Sequence, residues 1–133
     1  MKKITLSILI FITVCVKAQT VIYLDTIAKP VAGSKANVVK ALASDSLSSS
    51  FCILIPNEVK AHKHVWHSEQ VYVIQGKGVM RLGDKNISIK SGDLIFIPKN
   101  TIHAVTSMGE VPLKVLSVQS PLFDGSDRVM VSE

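Results

Sequence analysis

Cysteine is nearly missing from this chain: Cys15 and Cys52 are the only two in 133 residues. A disulfide framework is therefore excluded as the basis of the fold. Arginine is just as scarce, with Arg81 and Arg128 alone, so no arginine cluster is available to grip a phosphate. Aromatic residues make up 5% of the chain and are not interleaved with a basic run, which argues against a nucleic-acid groove. No long acidic or polar tract points to disorder. Amphipathic helical periodicity is absent as well, and so is any apolar run of the roughly 20 residues that a membrane-spanning helix needs.

The longest apolar stretch, Ile4 to Val16, has 13 residues; Lys2 and Lys3 precede it and Lys17-Ala18 follow. That order is the pattern of a secretory leader cleaved after Ala18. The mature chain is then a single domain over residues 19–133, exported to the periplasm or beyond, with no stable membrane anchor. Cys15 leaves with the leader. Cys52, in the apolar run Phe51-Cys52-Ile53-Leu54-Ile55, reads as a small buried hydrophobe. The formal charge of +5 also shrinks: without Lys2, Lys3 and Lys17, twelve basic side chains face ten acidic ones, a net of +2.

What the sequence has in quantity is short strands. Val21 to Leu24 and Asn37 to Lys40 are expected as entry strands, and Ala43 to Ser50 as the start of a turn. Phe51 to Ile55 reads as a buried strand stopped by Pro56-Asn57. Further strands are expected at Gln70 to Ile74, Val79 to Leu82, Ile87 to Lys90, Leu94 to Ile97, His103 to Ser107 and Leu113 to Val118. Between them lie Gly76-Lys77-Gly78, Gly83-Asp84, Ser91-Gly92-Asp93, Pro98 and Met108-Gly109. Pro121 to Asp127 reads as an irregular tail, with Arg128 to Val131 extended. About eight strands divided by turns indicate an all-β, antiparallel sandwich or barrel.

One stretch carries chemistry: His62-Lys63-His64-Val65-Trp66-His67-Ser68-Glu69. Side chains alternate faces along a strand, so His62 and His64 point the same way. A bend over Val65 to Ser68 returns Glu69 to that interior, and strand pairing can bring His103 from the far side. Three neutral imidazoles and a carboxylate suit one divalent first-row transition metal, whether Fe, Mn, Ni, Zn or Cu. Calcium prefers an all-oxygen shell. Gly76-Lys77-Gly78 lacks the strand-to-helix setting of a phosphate loop, and no serine sits in a nucleophile elbow.

The same residues resemble the cupin superfamily, whose first motif runs G-x5-H-x-H-x4-E-x6-G and whose second runs G-x5-P-x-G-x2-H-x3-N. His62, His64, Glu69 and Gly76 fall at the first spacing; Gly92, Pro98 and His103 fall at the second. Pro56, Asn100 and Ser107 depart from the pattern, and Asn100 replaces a glycine as the residue next best suited to a left-handed turn. The resemblance implies a jelly-roll, or double-stranded β-helix, barrel. It also implies that His62, His64, Glu69 and His103 are the metal ligands, that a small molecule is the substrate or ligand, and that the barrel forms a homodimer by strand exchange or sheet packing.

Cupin chemistry includes dioxygenases, isomerases, lyases and decarboxylases, so a metal-dependent small-molecule enzyme is one reading. His67 and Tyr72 are its candidate proton carriers, although His67 matches no motif position and is expected in the bend, near the mouth or at the surface. Trp66 is expected at the entrance or on an exposed rim. A non-catalytic small-ligand binder and a barrel with a purely structural metal are the alternatives.

Overall fold

The computed structural model describes residues 21–27, 29 and 33–132. The expected leader over residues 1–18 lies outside them. Ten strands occur among the described residues: β1 (Val38–Ser44), β2 (Ser49–Ile55), β3 (Glu58–His64), β4 (Ser68–Gln75), β5 (Lys77–Leu82), β6 (Lys85–Lys90), β7 (Leu94–Ile97), β8 (His103–Ser107), β9 (Leu113–Ser120) and β10 (Arg128–Met130). They form two five-stranded antiparallel sheets, ordered β1-β2-β9-β4-β7 and β10-β3-β8-β5-β6. No helix among the described residues is long and apolar enough to cross a membrane.

Alternation sets the interior. On β4, Glu69, Val71 and Val73 are buried while Gln70 and Tyr72 are exposed. Val71 and Val73 join Ile55, Met80, Ile89, Ile97, Val105, Leu113 and Val115 in one core between the sheets. Strand β2 is apolar from Phe51 to Ile55, where both of its faces are covered. Cys52 and Leu54 pack outward under Leu24, Ile27, Val38, Leu42 and Ile74, forming a second cluster. Cys52 is fully buried, as expected of a small hydrophobe, and burial pushes its thiol pKa up.

Two tight places explain the punctuation. Gly83 and Asp84 make the two-residue turn between β5 and β6, with Gly83 at φ +60°. Asn100 adopts φ +63°, the left-handed conformation expected where the motif has glycine, and its N–H donates to the His64 carbonyl at 2.6 Å.

Three expectations are corrected. Val21 to Leu24 is not a strand: a short 3-10 turn spans Leu24–Thr26, and the Thr26 hydroxyl donates to the Tyr23 carbonyl at 2.9 Å. The turn expected from Ala43 narrows to the residues around Asp45, whose carboxylate accepts the Leu47 and Ser48 N–H groups at 2.8 and 3.0 Å. β1 therefore runs on to Ser44, through a bulge between Ala41 and Ala43.

Candidate metal centre

Strand β3 supplies His62 and His64, β4 supplies Glu69 and β8 supplies His103, all four buried. His62 and His103 sit opposite each other in the β3–β8 register, which a bulge between Val59 and His62 adjusts. Ring centroids lie 4.1 Å apart for His62–His103, 5.2 Å for His62–His64 and 5.5 Å for His64–His103. One ring nitrogen from each of the three lies within 4.8 Å of the others, so these histidines are close enough to hold a metal ion. The Glu69 Oε2 atom is 3.3 Å from His103 Nε2 and 3.8 Å from His64 Nε2. Glu69 therefore stands beside two of the three rings, while the side chains that converge closely enough to hold an ion are the three histidines.

The outer nitrogens decide the tautomers. His62 Nδ1 lies 2.8 Å from the Lys60 carbonyl, and His103 Nδ1 lies 3.0 Å from the Thr101 carbonyl. A carbonyl only accepts, so each Nδ1 carries the proton and each neutral ring turns a bare Nε2 lone pair inward. His103 Nε2 is buried and has no hydrogen-bond partner among the described residues. It faces a carboxylate oxygen, and two facing acceptors in a buried site repel unless a cation or proton lies between them. This donor set fits a divalent transition metal.

The electrostatics agree. Burial, and then the neighbouring His103, hold the His62 pKa down at about 4, against the opposing pull of the Lys60 carbonyl. Burial also holds His64 below the ordinary histidine value, although Glu69 pulls it upward. Burial alone would raise Glu69. The adjacent His103 ring and the Ser117 hydroxyl outweigh it and keep the carboxyl below the usual range.

Glu69 has partners that the sequence reading missed. The Ser117 hydroxyl donates to Oε1, and Gln119 Nε2 lies 3.5 Å from the same atom. Both are buried on β9 on the face that also carries Val115. Polar residues on the buried parity of an apolar strand were the available signal. Asp127, from the segment read as an irregular tail, is also buried, and it contacts His64 and His67.

The two proton-carrier candidates stand elsewhere. Tyr72 has the outward parity of β4, is 42% exposed and does not line the cavity. His67 is buried, contrary to the expectation of a mouth or surface position, because Asp127 draws the bend inward. Its Nδ1 lies 2.6 Å from Asp127 Oδ2 and its Nε2 2.7 Å from the Leu122 carbonyl. Burial disfavours charge on this ring, but the two acceptors outweigh it and raise the pKa above the ordinary value. With both nitrogens engaged and Phe123 packed edge-on against it, His67 presents no free nitrogen toward the cavity. Trp66 is 71% exposed, on the surface as expected.

A cavity of about 250 Å³ opens from the histidines. Phe51, Ile53, Val71, Met80, Ile89 and Phe123 form much of its wall, and Asn37 and Arg128 also line it.

Compared with known proteins, the cupin domain family matches residues 50–119, more than half of the chain and the span that carries all four candidate ligands. The chain belongs to the cupin family. This cupin is 38% identical over 66 residues to an uncharacterized protein of Methanocaldococcus jannaschii, a match covering 50% of this chain and 53% of that one. It is 32% identical over 62 residues to the oxalate-binding protein of Thermotoga maritima, covering 47% of this chain and 51% of the relative. The cupin thus spans about half the length of these curated relatives. Among solved structures, a double-stranded β-helix protein of Klebsiella pneumoniae superposes with a TM-score of 0.73 at 18% identity, covering 87% of this cupin and all of that chain. That likeness establishes the jelly-roll fold.

Proposed function

We propose that this cupin is an exported, metal-dependent small-molecule enzyme of the dioxygenase, isomerase, lyase or decarboxylase type, with one divalent transition metal on His62, His64, His103 and Glu69. The observation that carries the reading is the inward set of imidazole Nε2 atoms, two of them fixed as lone pairs by backbone carbonyls on the opposite nitrogens. A metal held there supplies Lewis acidity and coordination positions left open for substrate. The chain's own contribution is to desolvate and orient. The apolar wall takes the body of a small organic molecule, and Arg128 favours an anionic group on it. The relative named for oxalate binding is in keeping with an anionic ligand.

One observation favours the second reading, a non-catalytic binder. Among the described residues, Arg128 is the only titratable side chain besides the four candidate ligands that lines the cavity, so none of them offers a separate acid or base there. Elemental analysis of protein isolated from its own cell envelope is expected to give close to one transition metal per chain. A metal-free native protein with an intact fold would sink the metal-dependent reading. Oxygen uptake and product formation across a panel of small carboxylates, with metal-loaded and metal-stripped protein, separate enzyme from binder: a ligand held at the metal and never converted favours the binder.

Export follows from the leader, and N-terminal sequencing of the envelope protein should begin at Gln19; a chain beginning at Met1 argues against cleavage. Pairing of two barrels is supported by the exposed apolar residues Tyr72, Leu94 and Phe96 on and beside the edge strand β7. Sedimentation at the monomer mass would refute it.

A further inference from the structure

His64 differs from its two partners in how its outer nitrogen is held. His62 and His103 each use the carbonyl two residues earlier in their own segment. The His64 Nδ1 atom instead faces a side chain, Asp127 Oδ1, at 3.4 Å. That carboxylate is buried and thoroughly anchored. Its Oδ2 accepts the Trp66 N–H at 2.7 Å, the His67 N–H at 3.2 Å and the His67 ring Nδ1–H at 2.6 Å. His67 is braced in turn by the Leu122 carbonyl at 2.7 Å. Directly after Asp127, β10 pairs with β3, placing Arg128 opposite His64.

We propose that Asp127, clamped by His67, is the positioning residue that fixes the tautomer of His64 and so keeps its Nε2 free for the metal. The inference rests on the metal-centre reading above. An ionised carboxylate only accepts, so a neutral His64 beside it carries its proton on Nδ1. Carboxylates in this position also raise the basicity of a ligating imidazole. The role explains why a histidine outside the ligand set is buried next to the site: His67 leaves Asp127 no freedom to turn away from His64.

Asp127→Asn tests this with almost no change in shape. The three donors gathered at Oδ2 will claim the amide oxygen, which turns the amide NH2 toward His64 Nδ1. That nitrogen must then accept, and the His64 proton moves to Nε2. Nitrogen-15 NMR of the metal-free protein at pH 8 is expected to show His64 protonated on Nδ1 in the wild type and on Nε2 in the variant. Co2+ titration, followed by the visible spectrum, is expected to show affinity lowered about 10- to 100-fold. An unchanged tautomer together with Co2+ affinity within twofold of wild type would overturn the role. If the variant fails to fold, the wild-type ring decides alone, because a proton on Nε2 of His64 contradicts the proposal. Wild-type protein that takes up no Co2+ while showing the Nδ1–H tautomer would instead overturn the metal-centre reading beneath it.

Discussion

Among single residues, His64 and Tyr72 make opposite use of strand alternation. His64 points into the barrel beside His62 and His103, whereas Tyr72 points out to solvent from β4. His64→Ala is therefore expected to remove a coordinating atom and lower metal affinity by far more than the roughly 10- to 100-fold that loss of a supporting hydrogen bond costs. Tyr72→Phe should leave metal content and any turnover unchanged. Metal analysis after gel filtration checks both, and a His64→Ala protein that retains a full complement would remove this ring from the ligand set. That His62 and His64 share a face was legible because their spacing converts directly into facing, whereas Glu69 and His103 joined them only through an assumed bend, an assumed strand pairing and the resemblance of the motifs. Asp127 was not legible. It reaches His64 across 63 residues of sequence, through a pairing of β10 with β3 that no local pattern announces.

For the strands, legibility followed burial. β8 runs from His103 to Ser107 as read, because Pro98 to Thr101 and Met108-Gly109 bracket a compact apolar alternation. β1 was shortened in the reading because it is an edge strand with five of its seven residues exposed, which leaves little periodicity to detect. The first half of β3 is similarly polar at Glu58 and Lys60. The bend between β4 and β5 makes a sharper demand. Gly76 sits at φ +82°, and a Cβ there would lie 2.7 Å from the Pro112 carbonyl oxygen. A left-handed L-residue costs about 1–2 kcal/mol before any collision, and the obstructing atom is backbone that cannot swing aside. Gly76→Ala is expected to destabilise the fold by at least about 2 kcal/mol in urea unfolding. A loss below about half a kcal/mol would show that the β4–β5 bend yields.

Across the whole molecule, the buried imidazoles make stability depend on pH. In the unfolded chain each titrates near the ordinary value of about 6.5. Folding holds His62 at about 4, chiefly through burial, and lowers His64 for the same leading reason. Between about pH 6.5 and 4 the unfolded chain therefore binds more protons, and stability falls as the pH falls. His67 acts the other way: its raised pKa contributes stability that is complete below about 6.5 and is lost as the pH climbs through the folded value. The His62 displacement is the largest of the three, so the balance lies with acid destabilisation. The lowered Glu69 and Asp127 add to that loss at still lower pH as they become protonated. The melting temperature of the metal-free protein is expected to drop from pH 7 to pH 4.5; a flat or rising profile would mean that the imidazoles are charged in the folded barrel.

The separation of His64 from Asp127 also bears on the order of assembly. During synthesis the His62–His64 segment emerges more than sixty residues before the carboxylate that orients it. On the proposed role, an ion arriving before β10 has docked would meet an imidazole whose tautomer is not yet set, so the choice among metals would fall to the ions present once β10 has paired with β3.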